Sequence, residues 1–211
     1  MFRIVALLIG FALGHLQTSY ILGKTIKKID IRDHGSNSAG MTNSLRVMGK
    51  KIAAVVLLMD VAKAFGAFIL CAAIFNGAGS FFEFGDGSNG VLPGLYGAFG
   101  AVLGHMFPVY MKFRGGKSIA CAIGLVLAMN FQLAAILLVN AAAIILVTKY
   151  ISVASIISSA LLPILFLLLG YGPEVVVAGI FLAELLIYKH KDNIGRLIKG
   201  EENKLGKKKA V

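Results

Sequence analysis

Three short polar stretches in an otherwise apolar chain carry residue types that hold phosphate. The first is Asp30-Ile31-Arg32-Asp33-His34-Gly35-Ser36-Asn37-Ser38-Ala39-Gly40-Met41-Thr42-Asn43-Ser44-Leu45-Arg46. Its two glycines and its Ser, Asn and Thr density allow backbone N–H groups to face one point. A helix beginning near Met41 would add its positive end and, one turn on, Arg46. This outlines an anion site, although a flexible polar loop has the same composition. The second stretch, Lys112-Phe113-Arg114-Gly115-Gly116-Lys117-Ser118, puts paired glycines and a lysine ahead of an apolar run. The backbone can then approach a phosphate closely while the ammonium adds a point charge; a basic anchor with a turn reads the same way. It is not a Walker A loop, which needs four residues between its first glycine and Gly-Lys-Ser/Thr, after a strand. The third stretch is Tyr188-Lys189-His190-Lys191-Asp192-Asn193-Ile194-Gly195-Arg196. In a continuing helix His190 and Asn193 share a face, flanked by Lys189 and Arg196. A histidine beside lysines is also common at an interface.

Membrane helices must position these stretches. The 211 residues are 58% hydrophobic and only 15% charged, with a mean hydropathy of +0.84, which excludes a soluble domain. The net charge of +11 would suit nucleic acid in a soluble chain, but here the positions of the charges decide their use. Cys71 and Cys121 lie in apolar runs, and four histidines form no cluster, so neither a disulfide framework nor a metal centre is expected. The first apolar run lacks a basic start and a small-residue cleavage site and is read as a retained span. A crossing takes roughly 20 apolar residues. Residues 4–23, 52–75 and 91–111 satisfy that, as do 151–170, and 175–188 follow a Gly170-Tyr171-Gly172-Pro173 turn. The run 119–147 is long for one crossing and short for two, and is broken only at Asn130-Phe131-Gln132.

Charge distribution resolves the count. Nineteen of the twenty-one Lys and Arg residues fall in 24–51, 112–117, 189–209 and at Lys149, while 76–90 and 170–174 have none and carry Glu83, Asp86 and Glu174. Basic loops stay in the cytoplasm. All the clusters share one side only if the chain turns back at 130–132. The expectation is an all-α bundle of seven transmembrane helices, N-terminus outside and C-terminus cytoplasmic, with spans four and five short. The whole of 1–211 reads as one domain, and 200–211 as a basic tail tethered to lipid headgroups through residues 204–209. Asp60 and Lys63, three apart inside the second span, read as an ion pair; Glu184 and the pair Ser152 and Ser155 are further intramembrane polar candidates.

Assembled, these residues resemble the bacterial acyl-phosphate:glycerol-3-phosphate acyltransferase family of the PlsY type across nearly the whole chain. Gly35-Ser36 with Gly40-Met41-Thr42-Asn43 and Arg46 is similar to its first motif. Gly104-His105-Met106-Phe107-Pro108 running into Phe113-Arg114-Gly115-Gly116-Lys117 is similar to its second, and His190-Lys191-Asp192-Asn193-Ile194 with Arg196-Leu197 to its third. Tyr150 through Ser155 resembles the segment entering span six, where a serine lines the site. The chain departs from the family pattern at Asn37 and Ser38, at Ser118 and Cys121, and at Gly14-His15-Leu16-Gln17.

The resemblance implies a fatty acyl phosphate donor, a glycerol 3-phosphate acceptor, and lysophosphatidic acid and phosphate as products. It implies that Ser36, Thr42, Asn43, Arg46, Lys117, Ser155, His190 and Asn193 bind substrate, and that Gly115 and Gly116 offer backbone N–H groups to the acyl phosphate. His190 is the candidate base. No cofactor, metal or nucleic acid is implied; the other partners are membrane lipid and, functionally, the enzyme that makes acyl phosphate. A monomer in the bacterial inner membrane, working on the cytoplasmic side, is expected. None of the four histidines has Asp five residues later, so the soluble-acyltransferase pattern is absent. The rivals are a lapsed paralogue that binds without reacting and a transporter of phosphorylated metabolites, although transporters place their sites near the midplane.

Overall fold

Glycines spaced for close helix contact build the first half of the molecule. The computed structural model describes residues 1–76 and 90–205; Glu83, Asp86 and Lys207 to Lys209 lie outside the described residues. The chain divides into two compact units, Met1–Phe131 and Gln132–Val211.

In the first unit α1 (Phe2–Gly14) lies against α5 (Leu92–Met106). A Cβ at Gly10 or Gly14 would strike the backbone of Gly97 or Ala101, and one at Gly100 or Gly104 would strike the carbonyls of Leu7 and Phe11. This is the small-residue spacing that lets membrane helices pack backbone to backbone. The long helix α4 (Lys50–Asn76) fills the other side of α5, and α6 (Ile119–Met129) packs on α4 with Gly124 against the Val61 backbone.

After α1 the first apolar segment breaks at His15 to Gln17, then resumes as α2 (Thr18–Leu22) and a π-helical turn over Gly23–Lys27. A break in hydrocarbon leaves carbonyls that need donors. Here Lys63 Nζ donates to Leu16 O at 2.8 Å and the Tyr110 hydroxyl to His15 O at 3.0 Å. The connection to α4 holds the short α3 (Met41–Val47), which begins where the sequence placed it. A small core of Ile31, Ala39, Met48 and Met111, flanked by Tyr20, Val47 and Ile52, lies beneath that connection.

The second unit begins one residue into α7 (Phe131–Thr148), which leads to α8 (Ile151–Leu168), α9 (Pro173–Tyr188) and the short α10 (Lys191–Ile198). Pro173 starts α9 at a position whose N–H has no helical partner, and Gly179 lets α9 close on Phe166 of α8.

All regular structure among the described residues is helical. Among the described residues five segments are long and apolar enough to cross a membrane: Phe2–Lys27, Lys50–Asn76, Leu92–Met111, Phe131–Thr148 and Ile151–Leu168. The break expected at 130–132 falls at Asn130, whose extended backbone ends α6. That leaves α6 short, as expected, but α7, expected to be short, has the 18 residues of a full crossing because it starts at Phe131 immediately after the break.

Candidate functional site

The first polar stretch is ordered by one buried side chain. Asn43 Oδ1 accepts from the Ser36 backbone N–H at 2.8 Å, while its Nδ2 donates to Ile31 O at 3.0 Å and His34 O at 2.9 Å. The loop is therefore wrapped around the first turn of α3. Gly35 has φ +65°, and a Cβ there would collide with the Asn43 amide, so only glycine fits. Arg32 is consumed structurally: it pairs with Asp30 through Nε (3.0 Å) and Nη2 (2.7 Å), donates from Nη1 to Met111 O at 3.0 Å and lies 5.0 Å from the Tyr20 ring centre. The hydrogen bonds from Arg32 hold the Asp30 carboxyl down to about 2. Ser36 and Thr42 are half-buried and Arg46 is exposed. Asn43, expected among the substrate ligands, has its amide group turned onto the loop backbone and acts as the loop's organiser.

The second stretch is locked to the first. Gly116 is buried with Ala39 O and the His105 ring against its Cα, and Gly115 abuts His105 O and Pro108, so neither position has room for a side chain. Their N–H groups are spent: Gly115 N donates to Met106 O at 3.3 Å and Gly116 N to His105 O at 3.1 Å. Both N–H groups, expected to face the acyl phosphate, thus meet acceptors within the turn, and the glycines allow its close approach to the first stretch. Lys112, Phe113 and Ser118 all take positive φ, as does Asn37 in the first stretch. Two departures from the family pattern, Asn37 and Ser118, thus stand on left-handed backbone, a conformation that favours glycine. Ser118 anchors itself by donating Oγ to Val102 O at 2.9 Å.

Behind this turn is a buried charge cluster. Lys63 Nζ donates to Leu16 O at 2.8 Å, lies 2.7 Å from His105 Nδ1 and faces Asp60 Oδ1 across an ion pair of 2.8 Å. The expected Asp60–Lys63 ion pair is present, extended to His105. Asp60, His105 and Cys121 each offer a ligand-type atom within 4.8 Å of the others, but the Lys63 ammonium already supplies the positive charge there. Two further departures tie the first span to this turn: Gln17 Nε2 donates to His105 O at 2.9 Å, and His15 Nε2 accepts from Val109 N at 3.1 Å.

The second unit places His190 and Asn193 at the start of α10, both buried. His190 Nδ1 lies 2.8 Å from Leu186 O. A carbonyl can only accept, so Nδ1 bears a proton, which in a neutral ring leaves the lone pair on Nε2. Ser155 donates its hydroxyl to Ile151 O of its own helix at 2.9 Å. Ser152 reaches further, donating to Glu202 at 3.1 Å, and Glu202 also accepts from Asn193 Nδ2 at 2.8 Å and Arg196 Nε at 2.7 Å. Sequence reasoning took 200–211 for a basic tail and missed Glu202; the available signal was the acidic pair Glu201-Glu202 at the head of a lysine-rich terminus. Glu184, singled out from the sequence, is exposed on α9.

Several apolar helices long enough to cross a bilayer define an integral membrane protein. The family model for glycerol-3-phosphate acyltransferase matches residues 4–200. A glycerol-3-phosphate acyltransferase of Shouchella clausii is 42% identical over 98% of each chain. Two crystal structures of PlsY, an integral membrane glycerol 3-phosphate acyltransferase, superpose with TM-scores of 0.84 (glycerol 3-phosphate form) and 0.81 (lysophosphatidic acid form). They are 29% and 28% identical to this chain, cover 97% of it, and are themselves covered to 96% and 95%. The chain belongs to the glycerol-3-phosphate acyltransferase family, the PlsY type, which acylates glycerol 3-phosphate in lipid biosynthesis.

Proposed function

We propose that this acyltransferase takes its acyl group from a fatty acyl phosphate and delivers it to glycerol 3-phosphate, releasing lysophosphatidic acid and inorganic phosphate. The observation that carries the reading is the lock between the first two stretches, with Gly116 seated on Ala39. It makes one ordered body of the loop bearing Ser36, Thr42 and Arg46 and the turn bearing Lys117. Both proposed substrates carry phosphate, and the similar PlsY structures in glycerol 3-phosphate and lysophosphatidic acid forms support the acceptor and the product.

Ser36, Thr42, Arg46, Lys117, Ser155, His190 and Asn193 are assigned to substrate binding, and Asn43 to holding the loop that carries them. With the Gly115 and Gly116 N–H groups spent, the donor's phosphate falls to Lys117 and the N-terminal turn of α6. In the reaction the acceptor's hydroxyl oxygen bonds to the acyl carbonyl carbon, and the bond from that carbon to the phosphate oxygen breaks. The proton passes to His190 Nε2 or to a phosphate oxygen. Phosphate is a good leaving group, so the protein contributes orientation and cations placed where charge develops.

The chain is assigned to the bacterial inner membrane as a seven-span monomer, with 1–211 serving as one functional domain. Its C-terminus and site are assigned to the cytoplasm, where acyl phosphate is made, and its activity is coupled to the enzyme that makes it. Phosphate release from palmitoyl phosphate by the purified protein tests the donor. It should require glycerol 3-phosphate, yield lysophosphatidic acid and vanish in Lys117→Ala. Acylation by acyl-CoA but not by the acyl phosphate would overturn the reading.

A further inference from the structure

We infer that Gln17, in the break of the first span, is a positioning residue for the turn that carries Lys117, acting through the main-chain oxygen of His105. The inference rests on the assignment of Lys117 to the acyl donor. Gln17 is fully buried, and its Nε2 donates to His105 O at 2.9 Å. That oxygen can only accept, which settles which end of the amide faces it. It stands in the last turn of α5, where the carbonyls of a helix have no partner within the helix. The turn returns to them: Gly116 N donates to the same His105 O at 3.1 Å, and Gly115 N to Met106 O at 3.3 Å. Gln17 and Gly116 therefore share one acceptor, and Gly116 is the residue before Lys117. On the other side of the lysine, Ser118 Oγ donates to Val102 O at 2.9 Å, so Lys117 stands between two pinned neighbours.

Stability does not explain a glutamine at this position. His105 O already has a donor in Gly116 N, so the second bond rescues no orphaned carbonyl. The other end of the amide is a liability: Oε1 is buried with no hydrogen-bond partner among the described residues, an arrangement that disfavours folding. An apolar side chain of similar length would keep the packing and remove that penalty. What Gln17 adds is a tie from the first span to the oxygen on which Gly116 hangs. The same break is joined to the turn at a second point, where Val109 N donates to His15 Nε2 at 3.1 Å and the Tyr110 hydroxyl to His15 O at 3.0 Å. The backbone that carries Lys117 is thus set before substrate arrives. A cation held in place beforehand binds phosphate at lower cost than one ordered on binding, and a small misplacement of a binding group is expensive in rate.

The test compares wild type, Gln17→Met and Gln17→Leu, full length and in detergent, by steady-state kinetics and the thermal midpoint. The two replacements differ in shape and share the loss of the donor, so a common effect belongs to the hydrogen bond. Both should raise KM for palmitoyl phosphate about fivefold, leave KM for glycerol 3-phosphate within about twofold, and keep or raise the midpoint. Unchanged KM values would overturn the inference. So would a fall in midpoint with both KM values preserved, the mark of a structural clip, or an equal rise in both, the mark of general loosening. A rise confined to glycerol 3-phosphate would uphold Gln17 as a positioning residue and move Lys117 to the acceptor. Should wild type use acyl-CoA in place of palmitoyl phosphate, the donor assignment fails, and the same comparison with acyl-CoA decides the role of Gln17.

Discussion

At Asn43 one amide does the work of a small core. It accepts from Ser36 N and donates to Ile31 O and His34 O, three backbone groups that would otherwise be left without these partners. Each buried polar group deprived of its partner costs about 1–3 kcal/mol. Asn43→Ala is expected to release the loop and abolish most activity. Asn43→Asp separates a structural role from a ligand role, because a carboxylate can still accept from Ser36 but repels the two carbonyls. Asp is expected to be no better than Ala, with both variants becoming sensitive to trypsin at Lys27 and Lys28; an active, protease-resistant Asp variant would refute it. Glu202 gives the residue-scale pH dependence. Burial would raise its pKa, but the hydrogen bonds from Asn193, Arg196 and Ser152 lower it, so the stability they give is fully present above the unfolded value and lost as pH falls through the folded one. The thermal midpoint of wild type should be unaffected by this group near neutrality and fall on acidification, whereas Glu202→Gln should start lower and lack that acid limb.

Among the elements, the turn between α5 and α6 is held from behind by Lys63. An ammonium inside a membrane is expensive unless it is paired, and here it faces the Asp60 carboxylate at 2.8 Å with Leu16 O and His105 Nδ1 as hydrogen-bond partners. Lys63→Met leaves the Asp60 carboxylate buried and unpaired, and is expected to cost about 3–5 kcal/mol. Adding Asp60→Asn should return a good part of that, a coupling that thermal unfolding of the two single variants and the double variant would read directly. Additive losses would show that the two side chains do not act as a pair. The elements also show where the sequence was legible. Hydropathy and turn chemistry located the start of α3 at Met41, the end of α6 at Asn130 and the turn ahead of Pro173, because each depends on residues adjacent in the chain. The break at His15 to Gln17 was not legible: it survives through donors 47 and 95 residues away, Lys63 and Tyr110. The same limit concealed the spent N–H groups of Gly115 and Gly116 and the inward carboxylate of Glu202. The spacing of Gly-Gly-Lys suits a phosphate cradle and a close helix turn equally, and only tertiary hydrogen bonds distinguish them.

For the whole molecule, the distribution of cations makes a prediction that does not depend on any single side chain. Nineteen of twenty-one Lys and Arg residues fall at connections and an end that seven crossings would place on one side of the membrane. With the C-terminus in the cytoplasm, every basic cluster lies inside and Glu174 lies outside. One crossing fewer would put the eight basic residues of 189–209 on the outer face, against the bias that orients membrane proteins. The two natural cysteines, Cys71 and Cys121, are fully buried, so single engineered cysteines can be read against a quiet background. Glu174→Cys in intact cells should react with a membrane-impermeant maleimide, whereas Lys204→Cys and Lys51→Cys should react only after the membrane is opened. Labelling of Lys204→Cys from outside, with Lys51→Cys protected, would reduce the count between them by one. The third motif and Glu202 would then lie on the outer face with the rest of 189–209, so this one experiment bears on the proposed site as much as on the topology.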